Sequence, residues 1–180
     1  MGTQYRRLKD KDLEFIQKQK LFYIASSSGD EVNLSPKGYD SIKILDNETL
    51  LFLDYAGSGN RTGRDVENDG NITLVFNAFE GDAKILRIFC KGRLIEKTDE
   101  EFNILFQNFE KSGILQHGVR RLVELNITAV ETSCGMSVPI MEFKEERTAL
   151  KDWAIKKELN GTLNDYIEKH HVPPKLTNLD

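Results

Sequence analysis

The run Ile85–Glu96, ILRIFCKGRLIE, constrains this chain more than any other stretch. It is long and rich in β-branched and aromatic residues, so it reads as a strand. Residues 72–79 (ITLVFNAF) and 119–132 (VRRLVELNITAVET) have the same character. Shorter strands are expected at 21–27, 31–35, 41–45 and 49–55, separated by turn residues such as Ser28-Gly29-Asp30 and Asp46-Asn47-Glu48. About seven strands with short connections make an antiparallel sheet. They do not alternate regularly with long helices, which disfavours a parallel doubly wound sheet and favours a small β-barrel with peripheral helices.

The helices expected around that sheet are few. Residues 10–20 place Leu13 and Ile16 on one face, and residues 60–68 read as a short helix. Thr98 and Glu101 have the spacing of a capping box, in which each side chain accepts from the other's backbone amide. The helix they would open carries Phe102, Leu105, Phe106 and Phe109, which reads as a core face and not a ligand pocket. Two further helices, at about 147–159 and 162–170, are divided by Asn160-Gly161 as a helix stop.

With 180 residues the chain is about one domain, 1–180, long enough for an apolar core without disulfides or metals. A hydrophobic content of 39% with 30% charged residues excludes a wholly disordered chain, and a formal charge of −4 argues against a dedicated nucleic-acid binder. Two cysteines, Cys90 and Cys134, give no disulfide framework. The N-terminal residues MGTQYRRLKDKDLEF hold no apolar stretch of signal-peptide or membrane-helix length, so the expected compartment is the cytoplasm, with no membrane partner.

Chemistry concentrates in Asp54-Tyr55-Ala56-Gly57-Ser58-Gly59-Asn60-Arg61-Thr62-Gly63-Arg64. A strand ends, a glycine loop follows and a helix opens. Glycines let backbone approach a ligand, and the first helical amides lack partners. With Ser58, Asn60 and Thr62 as donors and Arg61 as fixed charge, the segment suits a phosphate. By itself it fits a helix cap beside solvated arginines better than a phosphate seat. It matches neither the P-loop nor Gly-x-Gly-x-x-Gly, which disfavours a nucleoside triphosphate or a Rossmann dinucleotide. Asn33-Leu34-Ser35-Pro36-Lys37-Gly38 brings a hydroxyl and an amine to the end of a strand, and Arg87 sits inside an apolar run where it must face solvent or find a partner. The pair Arg120-Arg121 reads as strand-end charge facing solvent.

The order VNLSPKG, LDYAGSGNRT, ITLVFNAFEG, KILRIFCKGR resembles the FMN-binding split barrel of pyridoxamine 5′-phosphate oxidase-like proteins, from about residue 21 to 140 and including SCGMSVP. The resemblance implies a split antiparallel β-barrel that binds FMN, and a homodimer with the cofactor at the subunit interface. It places the phosphate turn on Asn60, Arg61 and Thr62, the strand-end lysine on Lys37, the backbone beside the flavin ring on Tyr55 and Ala56, and Arg87 near the ring's pyrimidine edge. Ser35, Ser58 and Gly59 are implied neighbours. Thr62 stands where the oxidases carry lysine, a loss for which Arg64 could compensate. The oxidases' carboxy-terminal substrate segment has no counterpart; this chain carries two helices and His170-His171-Val172-Pro173-Pro174 there.

The implied activity is therefore an FMN-dependent oxidoreduction of an unknown small-molecule substrate. Alternatives are a non-enzymatic flavin carrier or sensor, or the same fold holding deazaflavin or haem. Adjacent His170 and His171 point about 100° apart on a helix and are poor joint metal ligands. Cys134 reads as an ordinary thiol before a flavin-directed one.

Overall fold

The computed structural model describes residues 2–173; Pro174 lies outside them. Eight strands and five helices run in the order β1 (Thr3–Tyr5), α1 (Asp10–Lys18), β2 (Phe22–Ser27), β3 (Asn33–Lys37), β4 (Ile42–Ile44), β5 (Thr49–Tyr55), α2 (Arg61–Glu67), β6 (Asn71–Asn77), β7 (Ile85–Glu96), α3 (Phe102–Glu110), β8 (Val119–Ser133), α4 (Ala149–Leu159) and α5 (Leu163–Lys169). The strands form one antiparallel sheet, β3-β2-β6-β7-β8-β5-β4, curled into a half-barrel. The mainly β, antiparallel expectation holds. One strand escaped it: β1, too short and polar to stand out, pairs with Val130–Thr132 at the far end of β8.

Side chains on strands alternate between faces, and β5 buries both sets. Leu50 and Phe52 enter the barrel core with Phe22, Ile24, Leu74, Phe76 and Ile88, where Phe22 stacks on Phe76 at 5.3 Å. Leu51 and Leu53 face a second cluster with Phe102, Phe106 and Phe109 of α3. The phenylalanine stripe is core, as its spacing suggests. The capping box is not formed. Helix α3 begins one turn later, with Glu101 at its N-cap and no side-chain cap bond, and the Glu101 carboxylate pairs instead with Arg93 of β7. Among the described residues no helix is long and apolar enough to cross a membrane.

Candidate functional site

A cavity of about 580 Å³ opens where the ends of β3 and β5 meet the loop before α2, a volume typical of small-molecule sites. Ser35 and Lys37 line it from β3, and Tyr55 from β5. Ser58, Gly59, Asn60, Arg61 and Thr62 line it from the loop and the first turn of α2. Residues separated in sequence by a whole hairpin thus share one surface. Arg87 does not join them. It lies on β7, where Nη1 donates to Ser133 Oγ at 2.9 Å and to Glu131 Oε1 at 3.3 Å.

The loop residues divide into those facing the cavity and those that hold it in place. Asn60 is only 3% exposed, and its amide is committed at both ends: Nδ2 donates to the His171 carbonyl at 2.6 Å, and Oδ1 accepts from Arg120 Nη1 at 3.1 Å. Its side chain clasps the loop through one Nδ2 proton and Oδ1, and Asn60 lines the cavity wall. Thr62 Oγ1 accepts from Asn33 Nδ2 at 3.1 Å, which leaves the hydroxyl proton to donate. Arg61 forms an ion pair with Glu31 from the β2–β3 turn. Arg64 is bound by Glu31 at 2.8 Å and by Asp65, itself held by Ser26 and Ser28. Compensation by Arg64 for the missing lysine at Thr62 is therefore not what this geometry offers; its guanidinium ties α2 to the β2–β3 turn.

Arg120 and Arg121 overturn the solvent-facing expectation: they are 4% and 2% exposed. The register of β5 against β8 explains why. Asp54 faces Arg121 and Tyr55 faces Val119, so Arg120 is the extra residue of a β-bulge and breaks the alternation of faces. Arg121 sits 3.1 Å from Glu96 and 3.6 Å from Glu67. Arg120 turns beneath the glycine loop.

Lys37 presents its ammonium to the cavity with no hydrogen-bond or ion-pair partner among the described residues; the Phe52 ring centre lies 5.8 Å away. Burial lowers its pKa from the usual lysine value, the Asp54 carboxylate opposes that shift, and Arg120 adds to it. Asp54, also on the wall, is pushed up by burial and drawn back by Arg120, Lys37 and Arg121. The aromatic wall is Tyr39 set edge-on to Tyr55 at 5.8 Å, with Lys151 of α4 over the Tyr39 ring at 4.5 Å. Tyr39 and Asp40 both adopt left-handed backbone (φ 63° and 54°), uncommon for residues with a side chain and frequent at binding sites. Sequence reasoning missed Tyr39, Asp54 and Arg120 as site residues. The Pro36-Lys37-Gly38 bend hinted at the first and the start of the glycine-loop segment at the second; nothing local marks Arg120. Cys134 is exposed and does not line the cavity.

The chain is similar to known proteins. The family model described as pyridoxamine 5′-phosphate oxidase matches residues 8–134. A curated relative from Aspergillus flavus, the pyridoxamine 5′-phosphate oxidase family protein ustO, is 30% identical over 142 residues, covering 77% of this chain and 56% of its own length. The chain thus spans little more than half of that relative. Among solved structures, a pyridoxamine 5′-phosphate oxidase-like protein from Lactobacillus delbrueckii superposes with a TM-score of 0.53 at 14% identity, over 70% of this chain and 98% of that one. HupZ of Group A Streptococcus gives 0.55 at 14% identity, over 68% and 91%. At such identity these two likenesses are of fold alone.

Proposed function

This chain belongs to the pyridoxamine 5′-phosphate oxidase family, and we propose that its cavity binds FMN and serves an oxidoreductase acting on a small molecule. One observation carries the reading. A single cavity joins a phosphate-type loop, Ser58 to Thr62, to an unpaired lysine amine and a tyrosine wall. That donor set fits a ligand with an anionic group at one end and a planar, electron-accepting ring at the other. Neutral loop donors and Arg61 would hold the phosphate. Lys37 would lie at the ring edge, where its positive charge stabilises negative charge gained on reduction. Tyr55 and Tyr39 would exclude water from the ring. FMN, when bound, supplies the electron transfer, and the protein supplies position and electrostatics.

We assign the cofactor to the boundary of a homodimer. Leu34 stands exposed on the edge strand β3, which also carries Ser35 and Lys37 of the cavity wall, and Val32 stands exposed just before that strand. Arg87, remote from the cavity within one chain, would need a second copy to reach the cofactor. Sedimentation of the purified protein tests this; a monomer at micromolar concentration with full flavin occupancy defeats the dimer assignment.

The cofactor assignment is tested on the protein as purified. Its absorption spectrum should be that of an oxidised flavin, and Arg61→Ala should retain much less FMN. A charge-assisted hydrogen bond contributes about 1.5–3 kcal/mol, so affinity should fall about ten- to a hundredfold. Unchanged occupancy in the variant, or a haem or deazaflavin spectrum in the wild type, defeats the reading.

A further inference from the structure

Arg120 is buried behind the glycine loop, and both of its terminal nitrogens donate to that loop. Nη2 donates to the Gly57 carbonyl at 2.8 Å, and Nη1 to the Gly59 carbonyl at 2.8 Å and to Asn60 Oδ1 at 3.1 Å. Its nearest carboxylate, Asp54, is 3.7 Å away, beyond hydrogen-bonding reach. An arginine kept only as half of an ion pair would close on that carboxylate. This one spends its fork on two carbonyls and an amide oxygen within four consecutive residues.

Those carbonyls fix more than themselves. Every described peptide bond is trans, so a peptide's N–H points opposite to its C=O. With the Gly57 carbonyl drawn back to Arg120, the Ser58 amide points away from it. The Gly59 carbonyl and the Asn60 amide are related in the same way. Gly57, Ser58, Gly59 and Asn60 line the cavity, whereas Arg120 does not. Neither the Ser58 nor the Asn60 amide has an acceptor among the described residues.

We infer that Arg120 is a positioning residue: from behind the loop it holds two carbonyls away from the cavity, and so presents the Ser58 and Asn60 amides to an oxyanion that it never touches. The inference rests on the phosphate seat proposed above and deepens it. The seat is made by an arginine acting through backbone, and its selectivity is for the phosphate end of the ligand. A carbonyl turned into the cavity would repel that group; Arg120 removes two such carbonyls at once. The bulge in β8 is what allows the side chain to reach them.

The test compares FMN with riboflavin, which differ only by the phosphate, in fluorescence titrations of full-length apo protein. The wild type should prefer FMN. Arg120→Lys keeps a charge near Asp54 yet cannot span three acceptors; Arg120→Met keeps the bulk without donors. Both should lose about ten- to a hundredfold of the preference for FMN, with riboflavin affinity within about twofold of wild type. Thermal melts identify any variant that fails to fold, and the lysine variant carries the test if the methionine one does. A preference for FMN unchanged in a folded variant overturns the inference, as does an equal fall for both ligands, which would mark a merely structural arginine. A wild type that binds both flavins equally defeats the phosphate seat itself.

Discussion

At the scale of single residues, the glycines near the cavity differ in what they do. Gly59 has open space around a hypothetical Cβ, and at Gly57 the nearest atom is Leu150 Cδ1 at 4.0 Å. At Gly63 a Cβ would fall 2.4 Å from Asn60 Oδ1 and 3.2 Å from Arg121 Nη1. Alanine there gains about 1 kcal/mol of helix propensity. It also collides with an amide held at both ends by Arg120 and His171, so the amide cannot simply swing aside. Overpacking costs about 1–3 kcal/mol and a broken buried hydrogen bond about as much again, so the clash wins. Gly63→Ala should lower Tm by about 2–4 °C for each kcal/mol lost and weaken flavin retention, while Gly59→Ala stays near wild type in both. Equal melts for the two variants would refute this account. The sequence made the cluster of glycines and donors legible, but not the division of labour within it. Which glycine is crowded depends on Asn60, and where Asn60 points depends on Arg120, sixty positions on. Arg120 itself was misread because in a regular strand adjacent side chains face opposite ways, and a bulge leaves no mark on the alternation rule.

At the scale of elements, the helices after β8 are more than a tail. Residues 134–148 run back along the barrel: the Met141 amide donates to the Phe79 carbonyl at 3.0 Å and the Phe143 amide to Glu80 Oε1 at 3.0 Å. Leu150 then reaches the cavity wall and Lys151 its aromatic pair. Helix α4 settles directly on Gly118, which has φ +74° and where any Cβ would meet that of Ala154 at 2.4 Å. Glu158 accepts from the Gly118 amide at 3.0 Å, and after α5 the chain returns to place His171 on Asn60 and Pro173 on the cavity. Both helices, and the Asn160-Gly161 stop between them, were legible in the sequence. Their docking was not, because it depends on single backbone atoms and on the space over one glycine. Neither core cluster draws on α4 or α5. Ending the chain at Thr148 should therefore leave a folded barrel that binds FMN but releases it about five- to a hundredfold faster, the equivalent of about 1–3 kcal/mol of lost clasp. Stopped-flow release into excess apo-flavodoxin-type acceptor measures it; an unchanged off-rate would mean the segment covers the cavity without holding its contents.

At the scale of the whole molecule, the strands were legible because each half-buried strand repeats its own pattern locally. Their order was not, since β2 pairs with β6 and β5 with β8 across long stretches of chain whose register only the closed core fixes. The amino-terminal segment belongs to the same closure. Asp12 is fully buried, and its carboxylate accepts from Tyr5 Oη at 2.6 Å, from the Lys9 amide at 3.1 Å and from Lys84 Nζ at 2.9 Å. One side chain thereby joins β1, the start of α1 and the β6–β7 connection. Burial alone would raise its pKa, but the hydrogen bonds from Tyr5, Lys84 and the Lys9 amide outweigh it and hold the carboxyl below the usual aspartate value. A carboxyl depressed in the folded state binds protons more readily once unfolded, so its stabilisation is complete above the unfolded pKa of about 3.9 and drains away as pH falls below it. Asp12→Asn should cost about 1–3 kcal/mol at pH 7, because Tyr5 and Lys84 lose an ionised acceptor. That deficit should shrink as acid protonates the wild-type carboxyl, so that urea unfolding curves of the two proteins converge between about pH 4 and pH 2. A gap that keeps its neutral-pH size down to pH 2 would mean that Asp12 contributes through its shape and not its charge.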